Sequence, residues 1–268
     1  MTICSSCPIV VVGVPSDVNS SYLRGPAAAP KHIREAFHSP STNLCAENGI
    51  DLAARPEWKD VGDLSPGESP EMTDVERGIG RYLDEDRRVV ALGGDHAITY
   101  PIVRAVASRN SELTILHLDA HPDLYDELDG NRFSHACPFA RIMEEQPEAR
   151  LIQVGIRNMN PHQREQADRF GVEVHMATDL PRLSDLGLDP TIYLSIDLDV
   201  LDPAHAPGLS HPEPGGLTTR EVITLIQTLP FPPIAADIVE LNPERDANGL
   251  TAMVAAKLLK EVLGRMLG

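Results

Sequence analysis

Short apolar segments rich in β-branched residues recur along this chain, and amphipathic stretches separate them. This alternation constrains the fold more than any other feature. The segments are PIVVVGV (8–14), RRVVALG (87–93), LTILHLD (113–119), ARLIQVG (149–155), VEVH (172–175), TIYLSID (191–197) and PPIAADIVE (232–240). Each is too short for a helix and too continuously apolar for a strand with one wet face. The stretches between them read as helices: Ala28 to Phe37, Glu71 to Asp86, Tyr100 to Ser108, Pro138 to Glu145, His162 to Phe170, and Leu250 to Leu267 at the end. In the second, Met72, Val75, Ile79 and Leu83 fall at three- and four-residue steps. Thr218-x-x-Glu221 opens a further helix running to Leu229, with the signature of a capping box. Strands alternating with helices predict βαβ units and a mostly parallel sheet covered on both faces.

No repeat, low-complexity tract or Gly/Ser linker interrupts the pattern, and Gly62 to Pro70 reads as a loop. The 268 residues are therefore expected to form a single domain, 1–268. The chain has no run of about 18 apolar residues, so no membrane span is expected. Ile9 to Val14 follows no basic segment and reads as a first strand, not a signal peptide. Cys4-x-x-Cys7 precedes that strand, and no second such pair follows, which fits reduced thiols better than a redox or metal motif. A cytoplasmic location is expected. The formal charge of −17 disfavours nucleic acid and anionic membrane surfaces and favours a cationic small molecule.

In open α/β sheets, ligands bind beyond the carboxyl ends of the strands. Four of those ends deliver acids, imidazoles or both: Gly93-Gly94-Asp95-His96, Asp119-Ala120-His121-Pro122-Asp123, Asp197-Leu198-Asp199, and Glu240. GGDH alone is a turn, and Asp-Leu-Asp alone resembles a helix cap. Together they place charge where a buried strand would not otherwise end in it. In an extended segment, alternate residues point the same way, so Asp119, His121 and Asp123 are expected to converge, as are Asp197 and Asp199. With His96 this gives four carboxylates and two imidazoles. Such a set repels itself at low dielectric unless it is protonated or neutralised, and two divalent cations would balance it. Oxygen-rich ligation with some imidazole suits Mn2+, with Fe, Co and Zn as alternatives.

GGDHAIT (93–99), LDAHPDLYD (118–126), SHACPF (134–139), SIDLDVLDPAHAPG (195–208) and DIVELNP (237–243) resemble, in the same order, the signatures of the arginase/agmatinase (ureohydrolase) family. The flanks NSSYLRGPAAAPKHIREA (19–36) and LTAMVAAKLLKE (250–261) extend the resemblance over essentially the whole chain and look most like plant-type arginases. The resemblance implies a three-layer α/β/α fold with a central, mostly parallel eight-stranded sheet and two Mn2+ per chain. It assigns one ion to His96, Asp119, Asp123 and Asp197, and the other to His121, Asp119, Asp197 and Asp199. Two cations sharing a water would present hydroxide for attack on a guanidinium carbon. Asp123 would orient that hydroxide, and Glu240 would pair with the guanidinium. His135 resembles the family's mobile histidine, a proton shuttle to the leaving amine.

The implied reaction is L-arginine to L-ornithine and urea; the alternatives are agmatine, another guanidino compound or peptidyl arginine. Asn131 and Ser134 are candidate contacts for the substrate's carboxylate. Asn158 stands where animal-type arginases have an amine-binding Asp, and a neutral amide weakens recognition of an ammonium. Cys137 reads as a packing residue, or as a thiol that makes activity oxidation-sensitive. His117 reads as a core residue or one that supports a ligand, and His205 and His211 as residues of a loop bordering the pocket. A mononuclear hydrolase of the deacetylase type does not share the full set of six ligands. A non-catalytic binding protein on the same fold usually loses a ligand or the shuttle histidine, and neither is lost here. The family resemblance also implies a homo-trimer or homo-hexamer.

Overall fold

The computed structural model describes residues 8–64 and 71–268. Cys4-x-x-Cys7 and most of the expected 62–70 loop lie outside the described residues. The strands are β1 (Ile9–Val14), β2 (Trp58–Asp63), β3 (Arg88–Gly93), β4 (Thr114–Leu118), β5 (Arg150–Ile156), β6 (Glu173–Met176), β7 (Ile192–Asp197) and β8 (Ala235–Val239). They form one eight-stranded sheet in the order β2-β1-β3-β8-β7-β4-β5-β6. Every neighbouring pair is parallel. The helices are α1 (Ala29–Phe37), α2 (Met72–Asp84), α3 (Thr99–Ala107), α4 (Pro138–Glu145), α5 (Pro161–Phe170), α6 (Thr219–Gln227) and α7 (Leu250–Leu267).

Alternation along the strands separates two cores. Ile9 and Val11 of β1 face α1, α6 and α7, with Ile33, Val222 and Leu259 among the residues they join. Val10, Val12 and Val14 face the other layer, with Val75 of α2, Ile102 of α3 and Phe139 of α4. The result is the three-layer α/β/α arrangement. The capping box at α6 is present: the Glu221 backbone N–H donates to Thr218 Oγ1 at 3.2 Å, and Thr218 N–H donates back to Glu221 Oε2 at 2.8 Å.

Strand β2 was not legible from hydrophobic pattern. Its sequence WKDVGD is half-exposed throughout because it lies at the sheet edge, with one neighbour and one wet side. Its carboxylates hold the layer above: Arg34 of α1 donates to Asp60 at 2.7 Å and to Asp63 at 2.5 Å. Trp58 packs edge-on against Phe37 and donates its indole N–H to the Leu52 carbonyl.

The four strands that end in chemistry are consecutive in the sheet: β3, β8, β7, β4. β3 and β4 follow one another in the chain, yet β8 and β7 separate them. The crevice beyond their carboxyl ends is where such a sheet binds ligands.

Candidate metal centre and substrate cavity

β3 hands the chain to His96 through a tight passage. A Cβ on Gly94 would lie 1.8 Å from the Ser16 carbonyl oxygen, so only glycine fits there. Asp95 then caps the next turn by accepting from Ala97 N–H at 3.2 Å. His96 is fully buried. Its Nε2 lies 2.9 Å from Ser195 Oγ, and Ser195 Oγ lies 2.7 Å from Asp237 Oδ1. A carboxylate only accepts, so Ser195 donates to Asp237 and accepts from His96. The His96 proton is thereby held on Nε2.

Nδ1 then faces Asp119 Oδ2 at 3.2 Å, Asp123 Oδ2 at 3.1 Å and Asp197 Oδ2 at 3.1 Å. This buried atom makes no hydrogen bond with any of them. A lone pair facing three anionic oxygens is tolerable only with a cation at their centre. A proton is one such cation: burial opposes it, but the three carboxylates outweigh burial and hold the imidazole well above its usual range. A proton cannot point along three directions at once, whereas a metal ion meets all four atoms. The donor set therefore fits a metal.

Asp119 follows β4 directly. Its Oδ1 accepts from His121 N–H, and its Oδ2 accepts from His117 Nε2 at 2.7 Å. Gln153 donates to the other His117 nitrogen at 3.1 Å, which fixes His117 as a donor to Asp119 and takes it out of the ligand set although it lies among the candidate ligand atoms. His121 Nδ1 lies 2.9 Å from Asp199 Oδ2 and 3.6 Å from Asp119 Oδ1, a second cluster of ligand atoms.

Asp119, His121 and Asp123 do come together, but not by strand alternation. β4 ends at Leu118, and Asp123 is reached through a turn that puts it at φ 51°. Asp197 and Asp199 are likewise the two ends of a turn, with Asp199 N–H donating to Asp197 Oδ1 at 2.8 Å. Burial, then the neighbouring Asp199 and Asp119 charges, hold the Asp197 carboxyl well above the usual carboxylate range. Burial and Asp119 push Asp199 up to about 6. Both shifts reflect acids crowded together out of water.

Glu240 follows β8, also in the left-handed region at φ 68°. Its N–H donates to the Gly94 carbonyl at 2.8 Å, and its Oε1 accepts from His96 N–H at 2.8 Å. His135 Nδ1 lies 2.8 Å from the same oxygen, and His135 Nε2 lies 2.8 Å from Ser21 Oγ. Burial pulls the His135 imidazolium down, but Glu240 beside it prevails and pushes it up to about 9. A histidine raised in this way stabilises the fold fully below its unfolded value of 6.5 and ceases to do so as pH rises through about 9. The stability difference between the parent and His135→Asn is therefore expected to be widest below pH 6.5 and to close above about pH 9, as read from denaturant melts across that range. A constant difference would show that the ion pair contributes nothing.

A cavity of about 160 Å³ opens over these groups. Asp123, Asp197, Asp199, Glu240, His121 and His135 line its deep part, and Asn158 lies at its wall nearer solvent. Asn131 and Ser134 are not on that wall. Asn131 donates to Asn19 Oδ1 at 3.2 Å and accepts from Phe133 N–H at 2.9 Å; Ser134 is buried behind it. His211 borders the cavity, whereas His205 turns toward Thr219.

The arginase family model matches residues 7–264.

This chain belongs to the arginase family.

Among the arginase-family proteins it resembles, arginase 1, mitochondrial, of Arabidopsis thaliana is 46% identical over 96% of this chain and 80% of that protein. An agmatinase of Bacillus cereus is 31% identical over 95% of this chain and 90% of that protein. The solved structure of an arginase from Medicago truncatula superposes with a TM-score of 0.88 at 41% identity, covering 97% of this chain and 88% of that one.

Within this arginase-family site, sequence reading overlooked Ser195 and Asp237, which fix the His96 tautomer, and Ser21, which holds His135. The signal for Asp237 was a carboxylate inside the apolar strand AADIV, which requires a buried partner. Cys137 is fully buried, and burial together with Asp123 pushes its thiol up to about 12. The thiolate, the reactive form, is thus scarce and covered, which supports the packing reading over oxidation sensitivity. Treating the native protein with iodoacetamide is expected to leave activity unchanged; loss of activity in step with alkylation at Cys137 would overturn this.

Proposed function

We propose that this protein is a manganese-dependent arginase that hydrolyses L-arginine to L-ornithine and urea. The observation that carries the reading is His96 Nδ1, buried without a hydrogen-bond partner and faced by three carboxylate oxygens, in a chain 46% identical to a plant arginase. His96, Asp119, Asp123 and Asp197 would hold one ion; His121, Asp119, Asp197 and Asp199 would hold the other. When bound, the pair supplies hydroxide at neutral pH.

The chain's own groups do the rest. Glu240 offers its carboxylate to the planar guanidinium, a cation with N–H donors in a fork. Its Oε1 already serves His96 N–H and His135, so the guanidinium meets the other oxygen, Oε2. A second cation at Glu240 weakens its hold on His135, which can then give its proton to the leaving amine. Asp123, aimed at the centre of the cluster, accepts a hydrogen bond from the nucleophile and orients it. Asn158 is the contact for the amino-acid end of the substrate. Asn131 and Ser134 are assigned to shaping the loop that carries His135. His135→Asn is expected to keep full metal content and lose about a hundredfold in turnover.

The test is urea release after Mn2+ loading, with L-arginine, agmatine, 4-guanidinobutyrate, free guanidine and an arginine-containing peptide, together with metal analysis. Two ions per chain and urea from L-arginine are expected. Urea from agmatine or another guanidine alone would keep the chemistry and overturn the substrate. One ion would favour a mononuclear deacetylase-type hydrolase, and none a binding protein. Among the described residues no helix is long and apolar enough to cross a membrane. A cytoplasmic setting and a homo-trimer or homo-hexamer complete the reading, and sedimentation would measure the assembly.

A further inference from the structure

Asn158 is a neutral amide at the cavity wall, where a substrate carrying a free ammonium calls for negative charge. The structure brings that charge from elsewhere in the chain. Asn158 Nδ2 donates to Glu213 Oε2 at 2.9 Å, across 55 residues of sequence. Glu213 does not line the cavity itself; it stands beside Asn158, partly exposed, in the segment Pro212-Glu213-Pro214-Gly215-Gly216, flanked by prolines that limit its backbone.

That segment is held at both ends and in the middle. Leu209 bridges to Leu241, next to Glu240, and Leu217 bridges to Leu201. Asp202 Oδ2 accepts from Gly215 N–H at 2.8 Å and from Gly216 N–H at 3.2 Å. Arg157 donates from Nε at 3.1 Å and from Nη2 at 2.6 Å to the Glu213 carbonyl oxygen. It also donates to the carbonyls of Gly155, Asp199, Val200 and Leu201. The guanidinium therefore binds backbone oxygens around Glu213 and leaves the carboxylate free for another cation. The Asn158 backbone N–H donates to Ala120 at 3.1 Å, between Asp119 and His121, so both partners are tied to the ends of metal-site strands.

The polarity of the pair is fixed by chemistry. A carboxylate only accepts, so Asn158 presents its N–H to Glu213 and turns its carbonyl oxygen away. The pair then offers two kinds of acceptor, a free carboxylate oxygen and an amide oxygen, and an ammonium with three donors matches them. The deep carboxylates are already committed to the metal cluster and to Glu240's guanidinium role.

We infer that Glu213, held by Asn158, is the carboxylate that receives the α-ammonium of the substrate and makes the cavity selective for guanidino compounds bearing a free amine. The inference rests on the arginine reading above. It is tested by the Mn2+-loaded Glu213→Gln enzyme. The Gln amide oxygen still accepts from Asn158, so only the charge changes. The probes are L-arginine and 5-guanidinopentanoate, which has the same chain and carboxylate but no amine; if it is not turned over, it is used as a competitive inhibitor.

The expected result is a KM for L-arginine raised about ten- to hundredfold with kcat little changed, the loss typical of one hydrogen bond to a charged group. Binding of 5-guanidinopentanoate should be unchanged. Equal losses with both probes would make Glu213 a scaffold residue, and an unchanged KM for L-arginine would remove it from the site; either overturns the inference. A parent enzyme that releases no urea from L-arginine would instead sink the functional reading, and the inference with it.

Discussion

Asp197→Ala is expected to abolish urea release, by about a thousandfold or more, and to lose bound metal in the same preparation. Asp197 closes β7 with its Oδ2 3.1 Å from His96 Nδ1, and its Oδ1 accepts from Asp199 N–H. As a carboxylate shared by both proposed ions, it has no substitute among its neighbours. A two-metal site contributes several kcal/mol to transition-state stabilisation, so its loss falls in this range. The fold itself should survive. The deletion removes an acid whose charge is opposed by burial and by Asp199 and Asp119. In chelator the variant is expected to melt within a few degrees of the parent. Only the parent should gain stability on adding Mn2+, because only it binds the ion in the folded state. Retained activity, or an equal Mn2+-dependent rise in melting temperature, would remove Asp197 from the metal site.

Asp237→Ala should act through the opposite quantity, folding stability. The Asp237 carboxylate accepts from Thr99 Oγ1 at 2.7 Å, Ser195 Oγ at 2.7 Å and the Tyr193 hydroxyl. All four residues are fully buried. Removing the acceptor orphans three hydroxyls out of reach of water, each at about 1–3 kcal/mol. A loss of about 3 kcal/mol or more is expected from denaturant unfolding, large against a total of about 5–15 kcal/mol. Metal affinity should fall about ten- to hundredfold as well, since Ser195 no longer holds the His96 proton on Nε2. Asp237→Asn keeps one acceptor oxygen and should lose less of both. A variant as stable as the parent would show that the network carries no energy.

Interior strands were readable in the sequence because both faces are buried: IVVVGV, RVVALG and IYLSID are apolar nearly throughout. The edge strand WKDVGD hid because a half-exposed edge has no need of that composition. The six candidate ligands were readable because acids and imidazoles directly after buried strands need a reason to be there. How they converge was not. A period of two belongs to a strand, and Asp123 and Asp199 are reached through turns beyond one. Partners brought together by topology were also silent: Ser21 reaches His135 across 114 residues, and Glu213 reaches Asn158 across 55. Local periodicity carries no information at that range.

The left-handed backbone at Asp123 and Glu240 sets the direction in which this protein can be improved. A side chain there costs about 1–2 kcal/mol that glycine would not. At Asp123, glycine would also delete a negative charge from the acidic cluster, whereas at Glu240 it would remove the partner of both His135 and the His96 N–H. A selection that rewards heat resistance alone would therefore drift toward glycine at 123 and return a sturdier, inert protein. Thermostable variants that still work must find their gains elsewhere, with those two positions held fixed.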